Sequence, residues 1–265
     1  MIYDREKTLF VTDMDGTLLN TDSQLSPYTV EVLREVLSRG FNLTVASGRM
    51  PESPVEIFRN AGLELRLPVI GRNGVLVFDP IADKYIKIHT LPSFSSEKII
   101  WLIRENKAQM FLFERAQNGK PVFNRRGMEG FEQSLNDFND IIYITADGSR
   151  AQLQLIYDNS TILPDTGGLL FRDDFFSTDP DLWFAEFFSA DAGKGNGIRF
   201  IMERYGFTSA VCFGDNLNDL SMFEVCDEGY APENAASEVQ AAASAVIGAN
   251  SADGVARWLE EKLLS

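Results

Sequence analysis

A chain of 265 residues with 45% hydrophobic and 24% charged residues can bury one large core or two ordinary ones, which excludes a disordered segment and a small disulfide-stapled scaffold. The formal net charge of −15 sets most of the surface against nucleic acid and anionic membranes, so an anionic substrate would need a local reversal of sign from a cation or a well-placed lysine. Cys212 and Cys226 form no CxxC pair, no apolar run approaches the ~20 residues that cross a bilayer, and the N-terminus does not read as a signal peptide; the cytoplasm is the expected compartment.

The stretch TLFVT (8–12) is an apolar run of strand length that stops at Asp13, as a parallel strand buried on both faces would. In SPYTVEVLREVLSRG, Ser26 is placed to cap a helix, Pro27 to open it and Gly40 to end it, with Val30, Leu33 and Leu37 on one face. FNLTVAS (41–47) reads as the next strand, followed by a turn at Gly48 and a helix over 54–61. This alternation predicts an α/β fold built on an open, doubly wound, Rossmann-like parallel sheet.

The middle of the chain breaks the rhythm. VLVF (75–78) and YIKIH (85–89) read as strands around an Asp-Pro turn. Beyond them come a helix over 97–106, a hairpin-like MFLFERAQNGKPVFN (110–124), a helix over 130–138, and strands at IIYIT (141–145), QLQLIYD (152–158) and LWFAEFF (182–188). The pattern predicts an inserted α+β cap over 90–187 between two pieces, 1–89 and 188–265, of the α/β core, with Met110, Phe111 and Phe113 in the core of the insert. From KGNGIRFIMERYGF onward the α/β pattern returns with a helix, the strand SAVCFG (209–214), the helix DLSMFEVC (219–226), SAVIGA (244–249) and the helix DGVARWLEEKLL (253–264).

The single histidine, His89, lies in the alternating stretch KYIKIHT and reads as a packed or exposed strand residue. Ser-His-Asp hydrolysis, phosphohistidine chemistry and His-rich metal sites all need a histidine, so the expected nucleophile is a carboxylate. Loops after the C-terminal ends of parallel strands gather in one crevice, where ligands bind. Asp13, Asp15, Ser47 and Asp215 all follow predicted strands and can converge there.

In DMDGTLL, VASGR, Lys194 within GKGNG, and GDNLNDLSM, the chain resembles the four motifs of the haloacid dehalogenase superfamily, in that family's order. The insert between the second and third motifs, GRNG (71–74) and the tail SADGVARWLEE look like the Cof-type phosphatases with a class IIB cap. Two stretches depart from that pattern without touching the nucleophile or metal ligands. FFSADAGKG before Lys194 is bulkier and carries an extra acid, and APENAAS replaces a glycine-bearing version.

The resemblance implies an Mg²⁺-dependent hydrolase of small phosphate esters. Asp13 would be the nucleophile that accepts the phosphoryl group, and Asp15, its side chain free, would protonate the leaving oxygen and later activate water. The metal would be held by Asp13 and Asp215 side chains and the Asp15 carbonyl. Thr17, Ser47, Gly48, Lys194 and Asn218 would hold the phosphate, with Gly16 permitting the turn. Asp219 would orient Lys194 or a metal-bound water, and Asn73 and Arg49 would meet the substrate or brace loops. The chemistry suits the residue types, because a phosphate ester reacts fastest where its charge is neutralised and its attack geometry fixed. Singly, the same residues have plainer readings: Ser47 and Asn218 as helix caps, Asp219 as a first-turn acid, Lys194 as a solvated charge.

Arg115, Lys120, Arg125 and Arg126 are either substrate-facing cap residues or solvated hairpin charges. Sugar phosphates, phosphorylated cofactors and nucleotides all remain candidate substrates, with no nucleic acid or membrane partner expected. Two other readings share the scaffold. One is a phosphomutase, which returns the phosphate to a sugar. The other is an aspartate phosphoacceptor signalling domain, against which Asp15 stands, since a second carboxylate beside the nucleophile promotes dephosphorylation.

Overall fold

Thr8–Thr12 forms strand β1, buried throughout, and Asn42–Val45 forms β2 in parallel beside it, Leu9 opposite Asn42. Helix α1, Pro27–Ser38, joins them, and the Ser26 hydroxyl accepts the Thr29 N–H at 3.0 Å, as an N-cap does. Its buried face is Thr29, Val32, Leu33 and Val36, rotated from the predicted Val30–Leu33–Leu37 stripe; Val30 and Leu37 only flank the core. Helix α2 spans Glu52–Asn60, starting earlier than predicted because Pro51 is already helical at φ −64°. Strands β3 (Val69–Gly71), β4 (Leu76–Asp79) and β5 (Lys84–Ile88) form a three-stranded sheet in that order, and His89 follows half-buried.

The structure, a computed structural model, describes residues 3–115, 120–124, 141–172, 179 and 181–265. The chain divides into two compact units, Met1–Lys87 with Gly193–Ser265, and Ile88–Ala192. The second unit holds α3 (Ser93–Glu105), β6 (Gln109–Arg115), β7 (Pro121–Asn124), β8 (Ile141–Ser149), α4 (Arg150–Ser160), β9 (Thr166–Phe171) and β10 (Leu182–Ser189). Its strands pair antiparallel in the order β7-β6-β8-β10-β9. Ile99 and Ile103 of α3 and Leu153 and Ile156 of α4 meet Ile144, Ala146, Ala185 and Phe187 of the sheet in one apolar cluster, with Met110 buried among them.

One predicted strand of this unit is a helix. QLQLIYD lies within α4, where Ser149 caps the first turn and the Gln152 side chain answers it in a capping box. The alternation of Gln and Leu imitates a strand, but the buried positions are Leu153, Ile156 and Ser160, at helical spacing, and Leu155 is left 52% exposed. The helix expected over 130–138, Arg125 and Arg126, and the side chains of Phe111, Phe113 and Arg115, lie outside the described residues; Lys120 is exposed.

The chain continues through α5 (Lys194–Tyr205), β11 (Ser209–Phe213), α6 (Leu220–Phe223), β12 (Glu228–Pro232), α7 (Ser237–Ala242), β13 (Ala245–Ile247) and α8 (Gly254–Leu259). The five strands β13-β12-β11-β1-β2 form a sheet parallel throughout. Alternate residues serve opposite faces. Phe10, Leu43, Val45, Val211 and Phe213 pack with Leu33 and Val36 of α1 and Trp258 of α8, while Leu9, Val11, Ala210 and Cys212 pack with Ile198 and Ile201 of α5. Each large apolar side chain so buried contributes roughly 1.5–3 kcal/mol, and covering both faces is what makes these strands read as continuous apolar runs. Cys212 is buried and Cys226 half-buried, both as free thiols. Among the described residues no helix is long and apolar enough to cross a membrane.

Candidate active site

Strand β1 delivers Asp13 to its C-terminal edge, where the Asp13 N–H still bonds to the Phe213 carbonyl at 2.9 Å, extending the ladder with β11 by one residue. The chain then turns sharply. Asp15 is extended at φ −76°, ψ 126°, Gly16 takes φ 77°, and the Leu19 N–H closes the loop on the Met14 carbonyl at 2.8 Å. Gly16 is required twice: its φ is left-handed, and a Cβ there would lie 2.3 Å from an Asp215 carboxylate oxygen. Thr17, buried behind this turn, donates its hydroxyl to the other Asp215 oxygen at 2.6 Å.

Lys194, the first residue of α5, is almost wholly buried with Asp13 and Asp219. Its ammonium donates to Asp13 Oδ1 at 2.7 Å and to Asp219 Oδ1 at 2.5 Å. The second Asp219 oxygen accepts the N–H groups of Asp215 at 2.9 Å and Asn216 at 3.0 Å, so both of its oxygens are engaged. Gly74 makes room for this helix start, since a Cβ on it would lie 2.1 Å from the Gly193 carbonyl oxygen.

Burial raises Asp13 to about 8, with Asp219 and Asp215 adding repulsion and Lys194 pulling the other way. Burial also raises Asp215 to about 6, against the Thr17 hydrogen bond. For Lys194, burial works against the charge, but Asp13 and Asp219 outweigh it and lift the ammonium above its ordinary range. Asp13, Asp215 and Asp219 each offer an oxygen within 4.8 Å of the others. With Asp219 committed to Lys194 and two amides, one oxygen each of Asp13 and Asp215 lies outside these bonds. An all-oxygen carboxylate set of this kind fits a hard divalent cation.

A second group gathers around the loop after β2. The buried Ser47 hydroxyl accepts the Arg49 N–H at 3.2 Å, and the Ser47 carbonyl accepts the Asn73 N–H at 3.1 Å. Gly48 faces the Asn73 side chain, whose Oδ1 accepts from Asn218 Nδ2 at 3.0 Å. The Asn218 Oδ1 is itself buried without a hydrogen-bond partner. Asn218 thus braces Asn73, and the helical turn is capped instead by Asn216 in a reciprocal box with Asp219, a spacing the sequence displays as NLND.

The Asp15 side chain is not free as expected. Arg49 grips it in a two-point fork, Nε to Oδ2 at 2.6 Å and Nη2 to Oδ1 at 2.5 Å. The hydrogen bond to Asp15 holds the guanidinium above its ordinary pKa. Asn234, in APENAAS, went unread: its amide donates to the Gly16 carbonyl at 2.7 Å and accepts the Asn250 N–H at 2.9 Å, while Asn250 donates to the Leu19 carbonyl at 2.8 Å. Single loop asparagines carry no spacing signal that would have exposed these bonds.

The chain is 25% identical to the pyridoxal phosphate phosphatase YbhA of Escherichia coli, over 95% of this chain and 97% of the relative. It is 24% identical to the 5-amino-6-(5-phospho-D-ribitylamino)uracil phosphatase YitU of Bacillus subtilis, over 96% of each. Its fold is shared with the solved structure of the haloacid dehalogenase subclass IIB sugar phosphatase BT4131, at a TM-score of 0.71 and 20% identity, covering 96% of this chain and 98% of that one. The haloacid dehalogenase-like hydrolase family is matched over residues 10–259, and the chain is a member of it.

Proposed function

We propose that the chain hydrolyses small phosphomonoesters, sugar phosphates or phosphorylated cofactors, through an aspartyl phosphate on Asp13 with Mg²⁺ as cofactor. The observation that carries this reading is the buried Asp13 carboxylate, held by Lys194 at 2.7 Å beside Asp215 and Asp219 at the end of a parallel strand. The relatives named as phosphatases of phosphorylated small molecules support the substrate class.

Mg²⁺ would be held by Asp13 and Asp215 with the Asp15 carbonyl, and when bound would supply charge neutralisation to the phosphate. Asp13 attacks phosphorus as the ester P–O bond breaks, and Asp15 gives its proton to the departing oxygen. Water then attacks the aspartyl phosphate, losing a proton to Asp15 and releasing inorganic phosphate and the Asp13 carboxylate. Lys194 holds Asp13 in place and offsets charge through both steps, and Asp219 fixes Lys194. Ser47, Gly48 and Thr17, on the turns around Asp13, and the Asn73–Asn218 pair shape the phosphate end of the site.

Phosphate release from a panel of sugar phosphates, pyridoxal phosphate, flavin mononucleotide and nucleotides, with Mg²⁺ and with chelator, tests the reading. Metal-dependent release is expected. An isomerised sugar phosphate without free phosphate would convert the assignment to a mutase, and undiminished turnover in chelator would remove the metal.

A further inference from the structure

Arg49 is fastened at every level to the loops around Asp13. Its N–H donates to the Ser47 hydroxyl at 3.2 Å, and its carbonyl accepts the Arg72 N–H at 2.9 Å. The Nε–Nη2 edge of its guanidinium is fully spent on Asp15, and Nη1 reaches Ser53 Oγ at 3.5 Å. An arginine that recognised the substrate phosphate would keep that two-point edge for the phosphate. Asp15, for its part, has a side chain 50% exposed and no other hydrogen-bond partner among the described residues. Left alone, a half-solvated carboxyl samples several rotamers, and only those within hydrogen-bond reach of the reacting oxygen transfer a proton.

We propose that Arg49 is a positioning residue for Asp15, its guanidinium fork fixing the carboxyl plane from which the proton reaches the departing ester oxygen. The inference rests on the reading of Asp15 as the proton donor. In that step the ester P–O bond breaks, the P–O bond to Asp13 forms and the Asp15 proton passes to the leaving oxygen; the fork takes one acceptor position on each Asp15 oxygen and leaves the second to carry that proton, so it can hold the acid before transfer and the carboxylate after it. Arg49 thereby acts on proton transfer and leaves phosphate binding to other groups.

Leaving-group dependence separates these roles. p-Nitrophenolate departs without a proton, whereas the alkoxide of glucose 6-phosphate needs one, and kcat/KM reports the step in which the leaving group departs. Arg49→Gln is expected to lower kcat/KM for glucose 6-phosphate by about 30-fold or more and for p-nitrophenyl phosphate by less than about 3-fold. Arg49→Lys keeps the charge but loses the fork, so it is expected to show the same split. Equal losses on both esters, no loss on either, or full rescue by lysine would each overturn the proposal. An unchanged thermal midpoint in both variants ties the split to proton transfer and not to a damaged fold. The alkyl ester of the panel above that turns over fastest takes the place of glucose 6-phosphate where that ester is not a substrate; wild-type protein that releases phosphate from no ester of the panel overturns the phosphatase reading and this proposal with it, whereas wild-type turnover with equal sensitivity overturns the Arg49 role alone.

Discussion

The α/β unit and the inserted unit both bury a carboxylate near a sheet, one in a cluster of acids and the other beside a tyrosine. At the end of β1, Asp13 is 6% exposed and Asp219 fully buried, with the single ammonium of Lys194 between them and Asp215 alongside. Acid outnumbers base there in a dry place. In the inserted unit Glu186, 7% exposed on β10, accepts a hydrogen bond from the Tyr143 hydroxyl of the neighbouring β8, and the Tyr143 ring stacks on Phe188 at 5.5 Å. A cluster of acids around one lysine is relieved further by a bound cation, so that arrangement suits chemistry, whereas a tyrosine hydroxyl bonded to an acid on the next strand ties a sheet together.

The largest effect should come from Asp13→Asn, which keeps shape and removes the proposed nucleophile. Phosphate release is expected to fall at least about 10⁴-fold, with the thermal midpoint near that of wild type; wild-type turnover would end the nucleophile assignment. Lys194→Met ranks next. It leaves Asp13 and Asp219 buried against each other, and breaking such a pair costs about 3–5 kcal/mol, read as a lower denaturant midpoint with an unchanged slope. Adding Asp13→Asn to that variant should recover part of the loss. Additive losses would show that the two side chains do not depend on each other.

The parallel sheet was legible because its strands are covered on both faces and their apolar runs stop abruptly, at the acid Asp13 and at Gly214 followed by Asp215. That Asp13 and Asp215 meet follows from each ending a parallel strand, since β1 and β11 are neighbours in register, Thr12 opposite Phe213. What stayed hidden depends on partners that local pattern does not encode. QLQLIYD alternates like a strand, and only its capping box and its burial at helical spacing, set by the packing of α3 and the sheet, make it a helix. The Arg49 fork on Asp15 and the Asn234 bond to the Gly16 carbonyl join residues 34 and 218 positions apart in sequence, so neither could be read from spacing.

A third effect tests whether the acid cluster is relieved by a cation. In the metal-free protein Asp13 and Asp215 are raised, to about 8 and about 6, so each holds its proton to higher pH than an ordinary aspartate. Metal binding requires both ionised. Mg²⁺ affinity should therefore be weakest below pH 6, rise through pH 6 to 8 by up to about 10-fold per unit for each proton displaced, and level off above. Calorimetry in buffers of different ionisation enthalpy would count the protons released near pH 7. Affinity that does not change between pH 6 and 8 would contradict the raised carboxyls, and Asp215→Asn should abolish binding at every pH.

The smallest effect belongs to the inserted unit. Glu186→Gln keeps an oxygen to accept the Tyr143 hydroxyl, so the expected cost is below about 1.5 kcal/mol. Tyr143→Phe should cost more, about 1–3 kcal/mol, because it takes a donor away from a buried acid and keeps the acid. In stability the same ordering is expected at Asp13, whose change to Asn leaves the thermal midpoint near that of wild type while loss of Lys194 is costly; the two units are expected to differ in size of effect and in that only Asp13→Asn abolishes phosphate release. Denaturant melts of the two variants beside Lys194→Met decide the matter: if Glu186→Gln unfolds as early as Lys194→Met, the inserted unit depends on its buried acid as heavily as the α/β unit depends on its lysine, and the contrast between the two units collapses.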